Sequence, residues 1–209
     1  GESDTTNNCS VSVKVDVVAQ QRRVDISPRT LTFEAVGDSE TVTVRILDEN
    51  GDEDTDASFT WISIYSPGRK CCTLQKVDDG LKVTMTKAGT MRVDLFSTDA
   101  KTARLQVTAS QKATSLEVSP NSVSLEVDGT DTLSATVKDA NGNAIEGRTI
   151  YWTTSDSEVA TVEGADAGGE TGATATVTAA ATGTATITAR HAVAITGTAA
   201  VTVTSSNEN

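Results

Sequence analysis

Aromatic residues make up only 3% of this 209-residue chain, and two of them are tryptophan. A core must therefore be assembled mainly from Val, Ile, Leu and Ala, and few rings are left for an exposed row that could stack on sugars. Histidine occurs once, as His191, so no histidine-based metal cluster can form. Catalysis through it would require a positioned nucleophile and a carboxylate, and the chain has neither a nucleophile elbow nor a glycine-rich phosphate loop. The three cysteines, Cys9, Cys71 and Cys72, are odd in number and fit no zinc spacing. No run of about 20 apolar residues is present, so no helical membrane insertion is expected. Basic residues are outnumbered, 17 Lys and Arg against 29 Asp and Glu, for a net charge of −12. That balance argues against nucleic acid or an anionic membrane as partner. It suits an acidic, soluble, exported protein. Gly1–Asp4 is polar, so any export signal is expected to have been removed or to lie outside this stretch.

What the chain does have, it has twice. One copy runs through Val24-Asp-Ile-Ser-Pro28, Gly37, Asp48-Glu-Asn-Gly51 and Trp61. The other runs through Leu116-Glu-Val-Ser-Pro120, Gly129, Asp139-Ala-Asn-Gly142 and Trp152. Pro to Pro and Gly37 to Gly129 are each 92 residues, while Gly51 to Gly142 and Trp to Trp are each 91. Such landmarks in one order indicate a tandem duplication. Two domains are expected, at 20–112 and 113–205, with an amino-terminal tail and extra strand at 1–19 and a tail at 206–209.

Apolar and polar residues alternate in short runs, separated by Gly, Asp and Asn turns, and no run has a helical period. The expected class is all-β: two tandem β-sandwiches, end to end. Residues 10–18 read as a further strand, either added to the first domain, the preferred reading, or closing an earlier repeat. Val15 precedes Pro28 by 13 residues, as Val107 precedes Pro120. The Ala- and Thr-rich stretch from Ala173 onward alternates by parity and is expected to be ordered strand. The connection at 109–115 lacks a flexible Gly or Pro run. Trp61 and Trp152, at one landmark in both repeats, are expected in the cores.

Two clusters carry candidate chemistry. Asp48, Asn50, Asp52, Asp54 and Asp56 place oxygen donors at alternate positions, a spacing that would suit Ca2+, although the loop is not an EF-hand. The competing reading is a solvated turn, since Asp139-Ala-Asn-Gly142 occupies the matching place without the acids. For the cysteines, a Cys9–Cys71 bond, a vicinal Cys71–Cys72 bond and free thiols all remain open. Aligned on the tryptophans, Cys72 matches Ala160, so Cys72 is expected to face the core and Cys71 to face outward.

The second repeat resembles the bacterial immunoglobulin-like family of the Big-2 type, found in invasin- and intimin-like surface proteins. The resemblance rests on Leu116-Glu-Val-Ser-Pro120, Leu133-Ser-Ala-Thr-Val137, Asp139-Ala-Asn-Gly142, Trp152-Thr-Thr-Ser155, Val159-Ala-Thr-Val162 and Gly183-Thr-Ala-Thr-Ile187. The first repeat follows it through Trp61 and departs around Ser66-Pro-Gly-Arg-Lys-Cys-Cys72. The resemblance implies that the two sandwiches are tandem immunoglobulin-like β-sandwich domains, acting as a non-catalytic spacer, stalk or adhesion segment at the cell surface or outside the cell. No cofactor, a monomeric state, and a surface protein or glycan as partner are expected. The alternatives are a calcium-binding adhesion module using the 48–56 loop and an accessory carbohydrate-binding module of a secreted enzyme.

Overall fold

The computed structural model describes residues 22–65, 69–97, 100–166, 172–192 and 194–205. Cys9, the expected strand at 10–18 and the carboxy-terminal tail at 206–209 lie outside the described residues. The described residues contain seventeen strands and no helix.

The first domain is built from β1 (Arg22–Ser27), β2 (Thr30–Phe33), β3 (Ser39–Leu47), β4 (Thr60–Ile64), β5 (Cys72–Val77), β6 (Gly80–Met85), β7 (Gly89–Phe96), β8 (Ala100–Lys101) and β9 (Ala103–Ala109). They form sheets ordered β5-β6-β3-β1-β8 and β2-β9-β7-β4. The second domain uses β10 (Ser115–Ser119), β11 (Ser122–Glu126), β12 (Thr130–Lys138), β13 (Tyr151–Thr154), β14 (Ala160–Gly164), β15 (Thr174–Ala179), β16 (Gly183–His191) and β17 (Ile195–Thr204). Its sheets are ordered β10-β12-β15-β14 and β11-β17-β16-β13. Both domains are immunoglobulin-like β-sandwiches.

Each copy begins in the same way. Pro28 and Pro120, each preceded by a cis peptide bond, separate a strand of one sheet from a strand of the other. Proline has no N–H to give a ladder, so a strand ends there and the chain can change sheets. β2 then pairs in parallel with β9, and β11 in parallel with β17.

The sandwich interiors follow from parity. In β9, Ala103, Leu105, Val107 and Ala109 are buried while Arg104, Gln106 and Thr108 are exposed. In β15, Ala175, Val177 and Ala179 are buried and the intervening threonines are exposed. The Ala- and Thr-rich stretch is thus ordered strand, its threonines favouring the pleat and its small residues lining the core.

The two cores differ in how they are filled. Met85, Met91, Val93 and Leu95 line the first, where the second has Ala179, Ala185, Ile187 and Ala189. Trp152 pairs with Ala189, and its ring occupies the space that alanine leaves. Its indole N–H donates to Gly172 O at 2.8 Å. Trp61 pairs with Leu95 instead, in a core already filled by larger aliphatic side chains, and is only half-buried. The two tryptophans thus share a strand position but not a degree of burial.

Two other expectations require correction. Cys71 does not face outward: both Cys71 and Cys72 are fully buried. Cys71 precedes β5, so strand parity does not govern it, and its carbonyl accepts the N–H groups of Thr86 and Lys87. The turn after β2 also aligns differently from the glycine spacing. Gly37 N–H donates to Met85 O, and Asp128 N–H donates to Ala179 O. Both residues have positive φ, 94° and 67°. Gly37 therefore matches Asp128 rather than Gly129, because one residue fewer separates proline and turn in the second repeat.

Candidate functional site

The most densely hydrogen-bonded polar site among the described residues lies between the domains. It is built by the turn at 139–143, which follows β12. Asp139 N–H donates to Asn143 O, and Gly142 N–H donates to Asp139 O, with Gly142 at a φ of 80°. Asp139 Oδ1 accepts the N–H groups of Asn141 (3.0 Å) and Asn143 (2.9 Å), and the Asn143 side-chain amide at 3.2 Å. These bonds hold the loop and leave Oδ2 pointing out of it.

Oδ2 is taken up by the first domain and the connection. Val36 N–H, in the turn after β2, donates to it at 3.0 Å, and Gln111 Nε2 donates at 2.9 Å. The loop also reaches back. Asn141 Nδ2 donates to Val36 O at 3.0 Å and to Asp38 Oδ1 at 2.9 Å, and Asn143 Nδ2 donates to Val36 O at 2.9 Å. Gly37, in the same turn, adopts a φ of 94°, a conformation that favours glycine. Five donors thus converge on one carboxylate that is only 2% exposed. Burial alone pushes the Asp139 carboxyl up. The hydrogen bonds from Val36, Gln111 and Asn143 outweigh that effect and hold it at about 2.

The connection itself is bonded along its length. Ser110 N–H donates to Phe33 O and Lys112 N–H to Glu34 O, extending the β2–β9 pairing. Thr114 N–H donates to Lys138 O on the other side. Gln111 Nε2 also reaches Ala144 O at 3.1 Å, and Arg148 donates to Gln111 O at 3.1 Å. A short connection with bonds to both domains has little freedom to bend.

In the sequence alone 139–143 reads as a turn, and nothing there states its role at the junction. The available signal was the coincidence of a short connection with a polar loop at the same end of the domain. Which surface the loop would meet was not readable.

The other candidates are scattered. Asp48 closes its own turn, accepting the N–H groups of Asn50 (2.8 Å) and Asp52 (2.9 Å). Those bonds, that of Asp52 first, hold its carboxyl below the usual range. Asp54 pairs with Arg22 at 2.9 Å, Glu53 with Arg45 at 3.8 Å, and Asp56 N–H donates to Asp54 Oδ1. Among the described residues, no group of three or more His, Cys, Asp or Glu side chains is placed to hold a metal ion. Cys71 and Cys72 are free thiols with their sulfurs 3.3 Å apart. Burial, then the neighbouring Cys71, pushes the Cys72 thiol up to about 12, so it is protonated and unreactive. His191 Nδ1 lies 2.9 Å from Thr149 O at the end of β16. Among the described residues, the large exposed apolar side chains are Ile62, Ile64 and Tyr65 in the first domain and Tyr151 in the second. The ring of Tyr151 lies against Arg190.

Sandwiches of this kind, joined through a bonded connection, define a modular immunoglobulin-like protein. Residues 112–203 match the family model of the bacterial Ig-like domain (group 2), and the second domain is a member of that family. The first domain repeats its sheet order, its parallel pairing and its turns. No curated protein matches the chain. Among solved structures, domains 4 and 5 of the S-layer protein SbsC are 23% identical, with a TM-score of 0.46, over 88% of this chain and 98% of that one. The Escherichia coli adhesin FdeC is 20% identical, with a TM-score of 0.40, over 88% of this chain and 64% of that one. The Yersinia pseudotuberculosis adhesin InvE is 14% identical, with a TM-score of 0.40, over 87% and 58%.

Proposed function

We propose that this chain is a non-catalytic spacer or stalk segment of an exported bacterial surface protein, whose task is to hold a neighbouring part at a set distance and angle. The observation that carries this reading is the junction. The most heavily bonded carboxylate among the described residues, that of Asp139, bonds one domain to the next. A flexible tether would require no such contact, and a binding module would be expected to aim its polar groups at a ligand. The family of the second domain and the strongly acidic composition support a place outside the cell. Any adhesive contact, to a surface protein or a glycan, is assigned to other surfaces of the sandwiches.

The test is orientational. Residual dipolar couplings from the two domains should fit a single alignment tensor, because the domains tumble as one body. Two independent tensors would overturn the reading. Antibodies to the folded chain should also label intact cells of the source bacterium; labelling only after lysis would refute the location.

A further inference from the structure

We infer that the turn at 48–52 is a second interdomain latch, shaped to receive the turn after the second strand of an immunoglobulin-like domain that precedes Arg22. The inference rests on the spacer reading and extends it to a partner.

The two turns correspond bond for bond. Asp48 N–H donates to Asp52 O at 2.9 Å, as Asp139 N–H donates to Asn143 O at 3.0 Å. Gly51 N–H donates to Asp48 O as Gly142 N–H does to Asp139 O, with φ values of 91° and 80°. Oδ1 of Asp48 accepts from the N–H groups of residues 50 and 52, as Oδ1 of Asp139 accepts from those of residues 141 and 143. The bridge Leu47–Glu53 repeats Lys138–Ala144, and the bond from Asp54 N–H to Ile46 O repeats that from Ile145 N–H to Val137 O. Asp48 Oδ2 is thus aimed like Asp139 Oδ2, which takes a backbone N–H of the neighbouring domain. Here its contact is the amide of Asn50, at a long 3.4 Å. Asn50 Nδ2, the counterpart of the group that Asn141 offers to Val36 O, is turned back on its own loop.

What points to a partner is the occupied state of the sister loop, not the number of acids. The occupant follows from the same comparison. It must present one backbone N–H and one C=O from a single turn residue, as Val36 does. Residues 10–18 carry the spacing of the closing strand of an earlier repeat, the reading adopted for this inference. Val11, Val13, Val15 and Val17 stand at the same distances from Pro28 as Ala103, Leu105, Val107 and Ala109 do from Pro120. A glutamine, Gln20, falls within one residue of the position of Gln111. One difference is instructive. Asp52 replaces Asn143, so of the four bonds that the side chains of the second loop make to the turn at 36–38, three have a counterpart in the first. The loss of a donor predicts a weaker latch than the one at Asp139.

The test supplies a domain known to fit. Residues 22–114 are duplicated ahead of Arg23 in place of the native amino-terminal segment, giving three domains in one chain. The exposed substitution Thr41→Ser in the added copy distinguishes its turn peptide by mass. Amide exchange at Val36 of the added copy should be at least about tenfold slower than in Asn50→Ala or Asp48→Asn versions of the receiving domain. Asn50→Ala removes only an exposed side chain, and Asp48→Asn keeps the oxygen that closes the turn, so both variants should remain folded. Val36 at the native junction serves as the internal control. If the added copy exchanges equally fast with the loop intact and altered, while the native Val36 stays protected, this inference fails and the spacer reading stands. If neither Val36 is protected, both fail.

Discussion

Replacing Asp139 by asparagine separates the two tasks of its carboxylate. Three donors face Oδ1, all from its own loop, and two face Oδ2, Val36 N–H and Gln111 Nε2. Asparagine has one oxygen. Placed toward the loop, it preserves the turn but presents an NH2 to both donors at the junction. The variant should therefore fold normally and undock. A hydrogen bond to a charged acceptor contributes about 1.5–3 kcal/mol. Once undocked, the freed groups find water, so the lower end applies, and two such bonds give about 3 kcal/mol. At 1.4 kcal/mol per factor of ten, the docked-to-undocked ratio falls on the order of 100-fold. Val36 amide exchange and domain tumbling by 15N relaxation read this directly. In the variant, Val36 should lose its protection and each domain should tumble faster, while exchange within β12 and β15 stays slow. Retained Val36 protection with a single tumbling time would refute the idea that Asp139 holds the junction.

Acid should act on the same carboxylate. Its folded value, about 2, lies below the ordinary 3.8. A depressed value means stabilisation that is fully present above 3.8 and lost as pH falls toward 2, a difference on the order of 2 kcal/mol. Val36 protection should accordingly fade across that window in the native chain.

Three further outcomes are expected. Trp152→Ala should cost about 3–5 kcal/mol in urea unfolding, as a fully buried large-to-small change, and the half-buried Trp61→Ala about half as much; equal costs would contradict the different core filling. A thiol reagent should leave Cys71 and Cys72 unmodified in the native chain and modify both in denaturant; fast native labelling of either would show that the amino-terminal core opens. Millimolar calcium, compared with EDTA, should shift the melting midpoint by less than about 1 °C, because binding to the folded state must raise it and the acids at 48–56 do not converge on one point. A rise of several degrees that disappears in Asp52→Asn and Asp54→Asn would refute this.

The fold was legible because its rules are local. Alternation by parity set Ala175 and Val177 on one face of an ordered strand, and that face is the buried one. Errors arose where a residue left the strand pattern or where volume was shared across strands. Cys71 sits one residue before β5, so its burial follows from the chain's path rather than from alternation. The half-burial of Trp61 depends on Leu95 standing where the second domain has Ala189. Each fact requires the partner strand, and a single sequence does not state which strand that is. The junction was illegible for a stronger reason. Asp48-Glu-Asn-Gly51 and Asp139-Ala-Asn-Gly142 fold into one turn, yet only a neighbouring domain converts such a turn into a contact.

The use of a charge at that contact bears on function. Taking a carboxylate out of water is costly, and a buried charge with incomplete partners destabilises more than an apolar contact would. An apolar patch of equal size would tolerate small rotations, since the hydrophobic effect has no direction. Asp139 does not tolerate them. A rotation that carries Val36 N–H out of reach also takes Val36 O away from Asn141 and Asn143. The carboxylate then stays desolvated until the domains part and water enters. Intermediate angles are therefore worse than either end, and the junction tends toward two states, docked at one orientation or open. A junction built this way is expected to resist bending up to a threshold and then give way as a hinge, rather than flex in proportion to load.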